Sequence, residues 1–331
     1  MTRLHRFWLL LFALLAGCEQ APPVYQQQAY VFGTLVEVTV ADEASRAAPA
    51  VSAVLARFDA LHRQLHAWQP SELSQLNAAL ARGETMSVSP ELAAMLLDAQ
   101  ALAQRSDELF NPAIGGLIAL WGFHADTQQA RIPDMAEIGA WVARQPRMAD
   151  LVVDGTTVGS RNPAVQLDLG GYAKGRALDE AVAILRAHGV KNALVNVGGN
   201  VIALGRRGDR AWRVGVQHPR KPGTLATLEL NDGEAIGTSG DYQRYFEVDG
   251  RRYSHLIDPR SGLPAGGLQS VTVLVTGKDA GTRSDALSKP LFIDGPARLA
   301  DNAVRLDVTG YLAVDVAGRL HVSPAIKARL R

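Results

Sequence analysis

The sequence predicts an α+β fold, in which long amphipathic helices lie against antiparallel strands. Three observations carry that expectation. Residues 44–66 place Val51, Val54, Leu55, Phe58, Leu61 and Leu65 at helical spacing. From Asn192 to Ser254 the pattern is mostly short strands, and within it Asp249-Gly250 is a strong hairpin signal. Helical and strand stretches of this kind, segregated along one chain, pack as helices on antiparallel sheets.

In order along the chain, Tyr30 to Val40 alternates like a strand and precedes the helix over 44–66. Pro70 and Ser71 mark the start of a short helix through Asn77, and Pro90 to Ser106 forms a further amphipathic helix that ends before Phe110-Asn111-Pro112. Val165 to Leu169 reads as a strand, and Ala173 to Ala187 as a helix stopped by Gly189. Strands are expected at Ala193–Val197, Val201–Leu204, Trp212–Val216, Leu225–Leu230, the hairpin from Tyr242 to Ser254, and Leu268–Val275. A helix begins near Lys278 or Asp279, and the chain closes in a hairpin centred on Gly318.

The N-terminus reads as an export signal. Arg3 and Arg6 precede the apolar run Phe7 to Ala16, which is too short to span a bilayer, and Leu15-Ala16-Gly17-Cys18 resembles the bacterial lipobox. Residues 1–18 are thus expected to be a lipoprotein signal with Cys18 as the lipidated residue, and 19–29, with its Pro pair and Gln run, a flexible tether. Cys18 is the only cysteine, so packing alone must hold the fold in an oxidising compartment. About 300 residues remain for a domain over 30–331. The net charge of +1 argues against a nucleic-acid partner, which would need a basic face.

Four constellations have the residue types for chemistry. Asp168-Leu169-Gly170-Gly171-Tyr172-Ala173-Lys174-Gly175 is a turn into a helix, where glycines admit a ligand close to the backbone and Lys174 reaches an anion at the helix N-terminus. Asn196-Val197-Gly198-Gly199-Asn200 breaks an apolar strand pair; a bulge and a close approach of another backbone or a ligand both fit. His255, Asp258 and Arg260 follow a strand end after Thr238-Ser239-Gly240-Asp241-Tyr242, combining an acid-base group with a fork for phosphate. Asp285 and Lys289 lie four apart on one helical face, the spacing of a shared hard cation; Lys289 cannot ligate while protonated, so a simple ion pair stands beside that reading.

The order and spelling of these segments, with Phe32-Gly33-Thr34, Ser71-Glu72-Leu73-Ser74, Phe110-Asn111-Pro112 and Asp285-Ala286-Leu287-Ser288, resemble the FAD:protein FMN transferase (ApbE) family over nearly the whole mature chain. The resemblance implies a T-fold-like α+β architecture and transfer, with Mg2+, of the FMN half of FAD to a Thr or Ser hydroxyl of an acceptor protein, releasing AMP. It further implies an acceptor in a membrane redox complex and a lipid-anchored protein on the periplasmic side, with the inner membrane favoured. By the same resemblance Phe32, Trp68, Phe110, Asn111 and Pro112 would hold the adenosine end of FAD. Asp168 and Lys174 would also bind it, joined by Asp258 and Arg260. His255 would sit at the reacting phosphate as base, with Asp285 as the competing base. The metal would take the Gly171 carbonyl, the Asp285 carboxylate and the side chain at 289. Three positions depart from the family: Phe32 stands for Met, Asn111 for Asp, and Lys289 for a metal-binding Thr. FAD pyrophosphatase activity and a non-catalytic flavin-binding lipoprotein are the competing expectations.

Overall fold

The computed structural model describes residues 24–124 and 130–331, so Cys18, the signal and the first part of the tether lie outside the described residues. The chain opens with β1 (Tyr25–Val31), β2 (Thr34–Val40), α1 (Ala44–Leu65), α2 (Glu72–Ala81), β3 (Met86–Ser87) and α3 (Pro90–Arg105). Next come α4 (Gly115–Leu120), α5 (Met135–Arg144), β4 (Leu151–Asp154), β5 (Thr157–Ser160) and α6 (Ala173–Ala187). Strands then dominate, with β6 (Ala193–Val197), β7 (Asn200–Leu204), β8 (Trp212–Gln217), β9 (Thr224–Leu230), β10 (Ala235–Gly240), β11 (Tyr245–Val248) and β12 (Arg251–Ser254). The rest are β13 (Ile257–Asp258), β14 (Leu263–Pro264), β15 (Leu268–Val275), α7 (Ala280–Asp294), α8 (Leu299–Arg305), β16 (Gly310–Asp315), β17 (Leu320–Val322) and α9 (Pro324–Lys327). Among the described residues no helix is long and apolar enough to cross a membrane.

One antiparallel sheet, ordered β1-β2-β6-β7-β10-β15-β16-β17, organises the molecule and meets the α+β expectation. The period-2 alternation of its strands feeds two cores. Ile202, Leu204, Ala235, Val271, Val273 and Val275 face α1, α6 and α7 in the main core. Val201, Ala203, Ile236, Leu274 and Leu312 face the opposite way, onto Trp212, Val214, Val216, Leu228 and Leu230 of the β8–β9 hairpin. The central strand β15 is therefore buried along its whole length. On α1 the buried stripe Val51, Val54, Phe58, Leu61 and Leu65 follows the helical period, and each such side chain contributes roughly 1.5–3 kcal/mol of transfer free energy.

Three expectations change. The stretch 30–40 is a hairpin: Phe32 and Gly33 form its turn with φ of 56° and 69°, and β1 begins at Tyr25, inside the expected tether. The Gln run is ordered because alternate residues of this edge strand face solvent while its backbone pairs with β2. Residues 165–169 form no extended strand; Val165, Leu167 and Leu169 are buried like one, but the backbone makes a single parallel bridge from Gln166 to Ile114, and on the other side the Asn77 side chain accepts from Leu167 N–H at 2.7 Å and donates to Leu167 C=O at 2.9 Å. Gly198-Gly199 is the two-residue turn joining β6 to β7; of the two readings the close approach holds and the bulge does not, since Gly198 N–H donates to Leu35 O at 3.2 Å and a Cβ there would stand 2.7 Å from the Thr34 side chain. Pro290 lies inside α7, which continues through it to Asp294.

The pairing of α6 with α7 sets the site. A Cβ at Gly175 would lie 2.4 Å from Gly281 O and 2.7 Å from Asp285 Cβ, so the two helices meet backbone to backbone. Asp179 closes the contact by accepting from Gly281 N–H at 2.8 Å and Thr282 N–H at 2.7 Å. Gly175→Ala is expected to destabilise by about 1–3 kcal/mol or more, because backbone on both sides must part. A thermal midpoint within a degree of wild type would show that the helices separate freely.

Candidate active site

A cleft of about 1270 Å³ opens between the β1–β2 turn, the turn before α6, the C-terminal part of α7 and the segment around His255. Its size exceeds the roughly 300–1,000 Å³ usual for small-ligand pockets and suits an extended ligand. Phe32, Trp68, Phe110, Asn111, Pro112, Asp168, Gly171, Lys174, His255 and Lys289 all line it. Asp258, Arg260 and Asp285 do not.

Aromatic groups line part of the cleft. Phe32, held at positive φ, meets His62 edge-on at 5.7 Å, and Trp68 packs against His124 at 5.4 Å. Phe110 is buried below them. Asn111 is engaged in structure: its Nδ2 donates to Pro146 O at 2.9 Å and its Oδ1 accepts from Ala113 N–H at 3.0 Å. The Asn111 amide thereby shapes the wall of the cleft.

Charge gathers beside these rings. Burial pushes the Asp168 carboxyl up, opposed by the Gly170 N–H at 2.8 Å, the Arg244 and His66 charges and a hydrogen bond from Trp68. His255 follows β12, whose hairpin with β11 is fixed by stacked rings: Phe246 lies 5.3 Å from Tyr253 and 5.6 Å from Phe123. Burial, then the Arg244 guanidinium, with smaller contributions from Lys174 and Lys289, pushes the His255 imidazole down to about 3. Its Nδ1 lies 3.1 Å from Arg244 O, which sets the tautomer: Nδ1–H donates, and neutral Nε2 keeps its lone pair. Arg244 is held by donation to Phe123 O at 2.6 Å. No motif pointed to Arg244; its only trace in the sequence is a basic residue entering the hairpin that ends at His255.

Asp258 and Arg260 form a separate brace. Arg260 clasps the Asp258 carboxylate, with Nε at 2.9 Å and Nη2 at 2.8 Å, and also donates to Asp294 at 2.9 Å. These contacts, the Asp258 hydrogen bond first, push the Arg260 guanidinium up. The pair pins the turn after His255 to the end of α7 and lies off the cleft.

Asp285 is 1% exposed and equally committed. One oxygen accepts from Gly175 N–H at 2.9 Å in the first turn of α6, where the helix dipole favours an anion. The other oxygen is paired with Lys289 Nζ, which also donates to the Asp285 carbonyl at 2.7 Å. Ser288 Oγ donates to that same carbonyl at 2.8 Å. Asp285 therefore has both carboxylate oxygens engaged and does not line the cleft, whereas His255 does. The Lys289 stem crosses Gly171, where a Cβ would stand 3.0 Å from Lys289 Cε. The carboxylate and side-chain positions of the implied metal site thus hold an ammonium and its counter-ion, with the ammonium's stem against Gly171, and these residues do not fit a divalent cation.

The ApbE family model matches residues 32–312. A protein of Rhodobacter capsulatus described as FAD:protein FMN transferase is 44% identical over 309 residues, 93% of this chain and 58% of its own length. The chain thus spans little more than half of that relative. Another with the same description, from Klebsiella pneumoniae, is 35% identical over 260 residues, 76% of this chain and 78% of its own length. The crystal structure of the ApbE protein of Thermotoga maritima has a TM-score of 0.85 at 30% identity, over 93% of this chain and 100% of that one. The apo form of Pseudomonas stutzeri flavinyl transferase ApbE has a TM-score of 0.81 at 29% identity, over 94% and 98%.

Proposed function

The chain belongs to the ApbE family, and we propose that it transfers the FMN half of FAD to a Thr or Ser hydroxyl of an acceptor protein. The observation that carries this reading is an imidazole whose Nε2 keeps its lone pair, in a long cleft that aromatic side chains also line. Lys174, Arg244 and Lys289 surround it as cations for a pyrophosphate.

In this reading the aromatic side chains take one ring system of FAD and the cationic ones take its two phosphates. The acceptor hydroxyl attacks the FMN-side phosphorus while His255 Nε2 receives its proton. The bond from that phosphorus to the AMP phosphate oxygen breaks, and AMP leaves with the electron pair. A phosphoester joins FMN to the acceptor. Arg244 keeps His255 in the right tautomer through its carbonyl, and Lys174 and Arg244 oppose the charge that builds on the phosphate oxygens. Bound pyrophosphate offsets the same cations that depress His255, so its basicity rises once FAD is in place.

The leader ending in Cys18 supports an exported, lipid-anchored protein, and the family resemblance adds the periplasmic side, with the inner membrane favoured, and an acceptor in a membrane redox complex. The test is mass spectrometry of a Thr-bearing acceptor peptide after incubation of the protein with FAD. Addition of FMN to the peptide together with AMP supports transfer. FMN and AMP with the peptide unmodified would instead mean pyrophosphate hydrolysis, and intact FAD throughout would mean binding alone.

A further inference from the structure

We propose that Lys289 is a built-in cation: its ammonium occupies the position of the divalent metal, and the site works without one. The inference rests on the transferase reading for its catalytic half, whereas the exclusion of metal stands on the geometry. An ammonium has three N–H donors. Two are engaged by Asp285, one on its carbonyl at 2.7 Å and one on its carboxylate. The third is left on a side chain that lines the cleft beside Gly171 and Lys174. A divalent ion would need the same Asp285 oxygen, an oxygen ligand at 289 and the space over Gly171 that the Lys289 stem fills.

The arrangement fixes the ammonium in two ways. Asp285 is 1% exposed and anchored to the α6 backbone through Gly175, so the counter-ion cannot swing away. Ser288 Oγ donates to the Asp285 carbonyl and lies 2.8 Å from Ser239 Oγ, locking this turn of α7 to β10. A pyrophosphate oxygen reaching the third N–H meets a cation already in place, as a metal would be, but with a single charge. Lys289 donates a hydrogen bond and transfers no proton; the electron pair still leaves with AMP.

Two readouts test this, one independent of transfer. Binding of Mn2+ to the purified full-length protein is followed by loss of the free-ion resonance, and FMN transfer is timed in EDTA and with added Mg2+. Wild type is expected to bind no Mn2+ saturably and to transfer FMN within twofold of the same rate in both. Lys289→Thr is expected to acquire one Mn2+ site and to slow at least tenfold in EDTA. Lys289→Met is expected to lose at least tenfold in rate with no recovery in Mg2+. Saturable Mn2+ binding by wild type would overturn the proposal, as would a wild-type rate that collapses in EDTA and returns with Mg2+. A wild type that transfers no FMN would count against the transferase reading and against a catalytic Lys289, while its Mn2+ titration would still decide what occupies the cation position.

Discussion

Replacing His255 by Gln is expected to slow FMN transfer by about 10²–10⁴-fold, the usual contribution of a positioned general base, while FAD affinity changes little. The side chain amide fills similar space and can donate to Arg244 O as the imidazole Nδ1–H does, but it has no lone pair of comparable basicity. A second consequence concerns acid. His255 is pushed below its ordinary 6.5 to about 3, first by burial and then by Arg244. Below pH 6.5 the unfolded chain takes up a proton that the folded one refuses, so wild type loses stability from this group as pH falls from 6.5 toward 3. At pH 5 the difference is about 2 kcal/mol, and the Gln variant should be free of it. Urea midpoints at pH 7 and pH 5 report this directly: the variant should gain on wild type at the lower pH. A gap that stays constant would mean that His255 is not held neutral. Activity lost without a change in acid response would separate its chemistry from its burial.

Much of this site was legible because its parts are local. The helix from Ala173 to Ala187 and the strand from Leu268 to Val275 match their expected bounds, since each is a run of apolar residues at one period with a clear stop. The His255 hairpin was legible from Asp249-Gly250, which takes the positive φ values that its turn demands. The β1–β2 turn was not, because a Phe precedes its Gly and nothing in the sequence marks Phe32 for positive φ. Residues 165–169 misled for a different reason: their apolar alternation reports burial, while their backbone makes only a single parallel bridge to residues 112–115 on one side and gives both Leu167 groups to the distant Asn77 side chain on the other. Arg244 was invisible as a site residue because its role lies in a carbonyl and a charge brought close to His255 only by folding. Asp258 and Arg260 show the converse, a motif dense in charge whose members satisfy each other away from the cleft.

Removal of the Asp285 carboxylate is expected to have the largest effect on stability. Asp285→Ala leaves the ammonium of Lys289, whose side chain is 15% exposed, without its counter-ion and strips the Gly175 N–H of its acceptor. Breaking one side of a buried pair typically destabilises by about 3–5 kcal/mol, because the partner charge stays desolvated. The double variant Asp285→Ala, Lys289→Met should recover part of that loss, since no charge then remains to solvate, and the coupling in the cycle measures the pair itself. The Gly175 donor is orphaned in both, so its share does not recover, and the residual deficit reports what the anchor to α6 contributes. Denaturant unfolding of the three variants and wild type is sufficient. A loss below about 1 kcal/mol for Asp285→Ala would mean that water entering by the cleft hydrates Lys289, as at an exposed pair. In that event the ammonium would not be a fixed cation, and the role proposed for it at the pyrophosphate would fall with the same measurement.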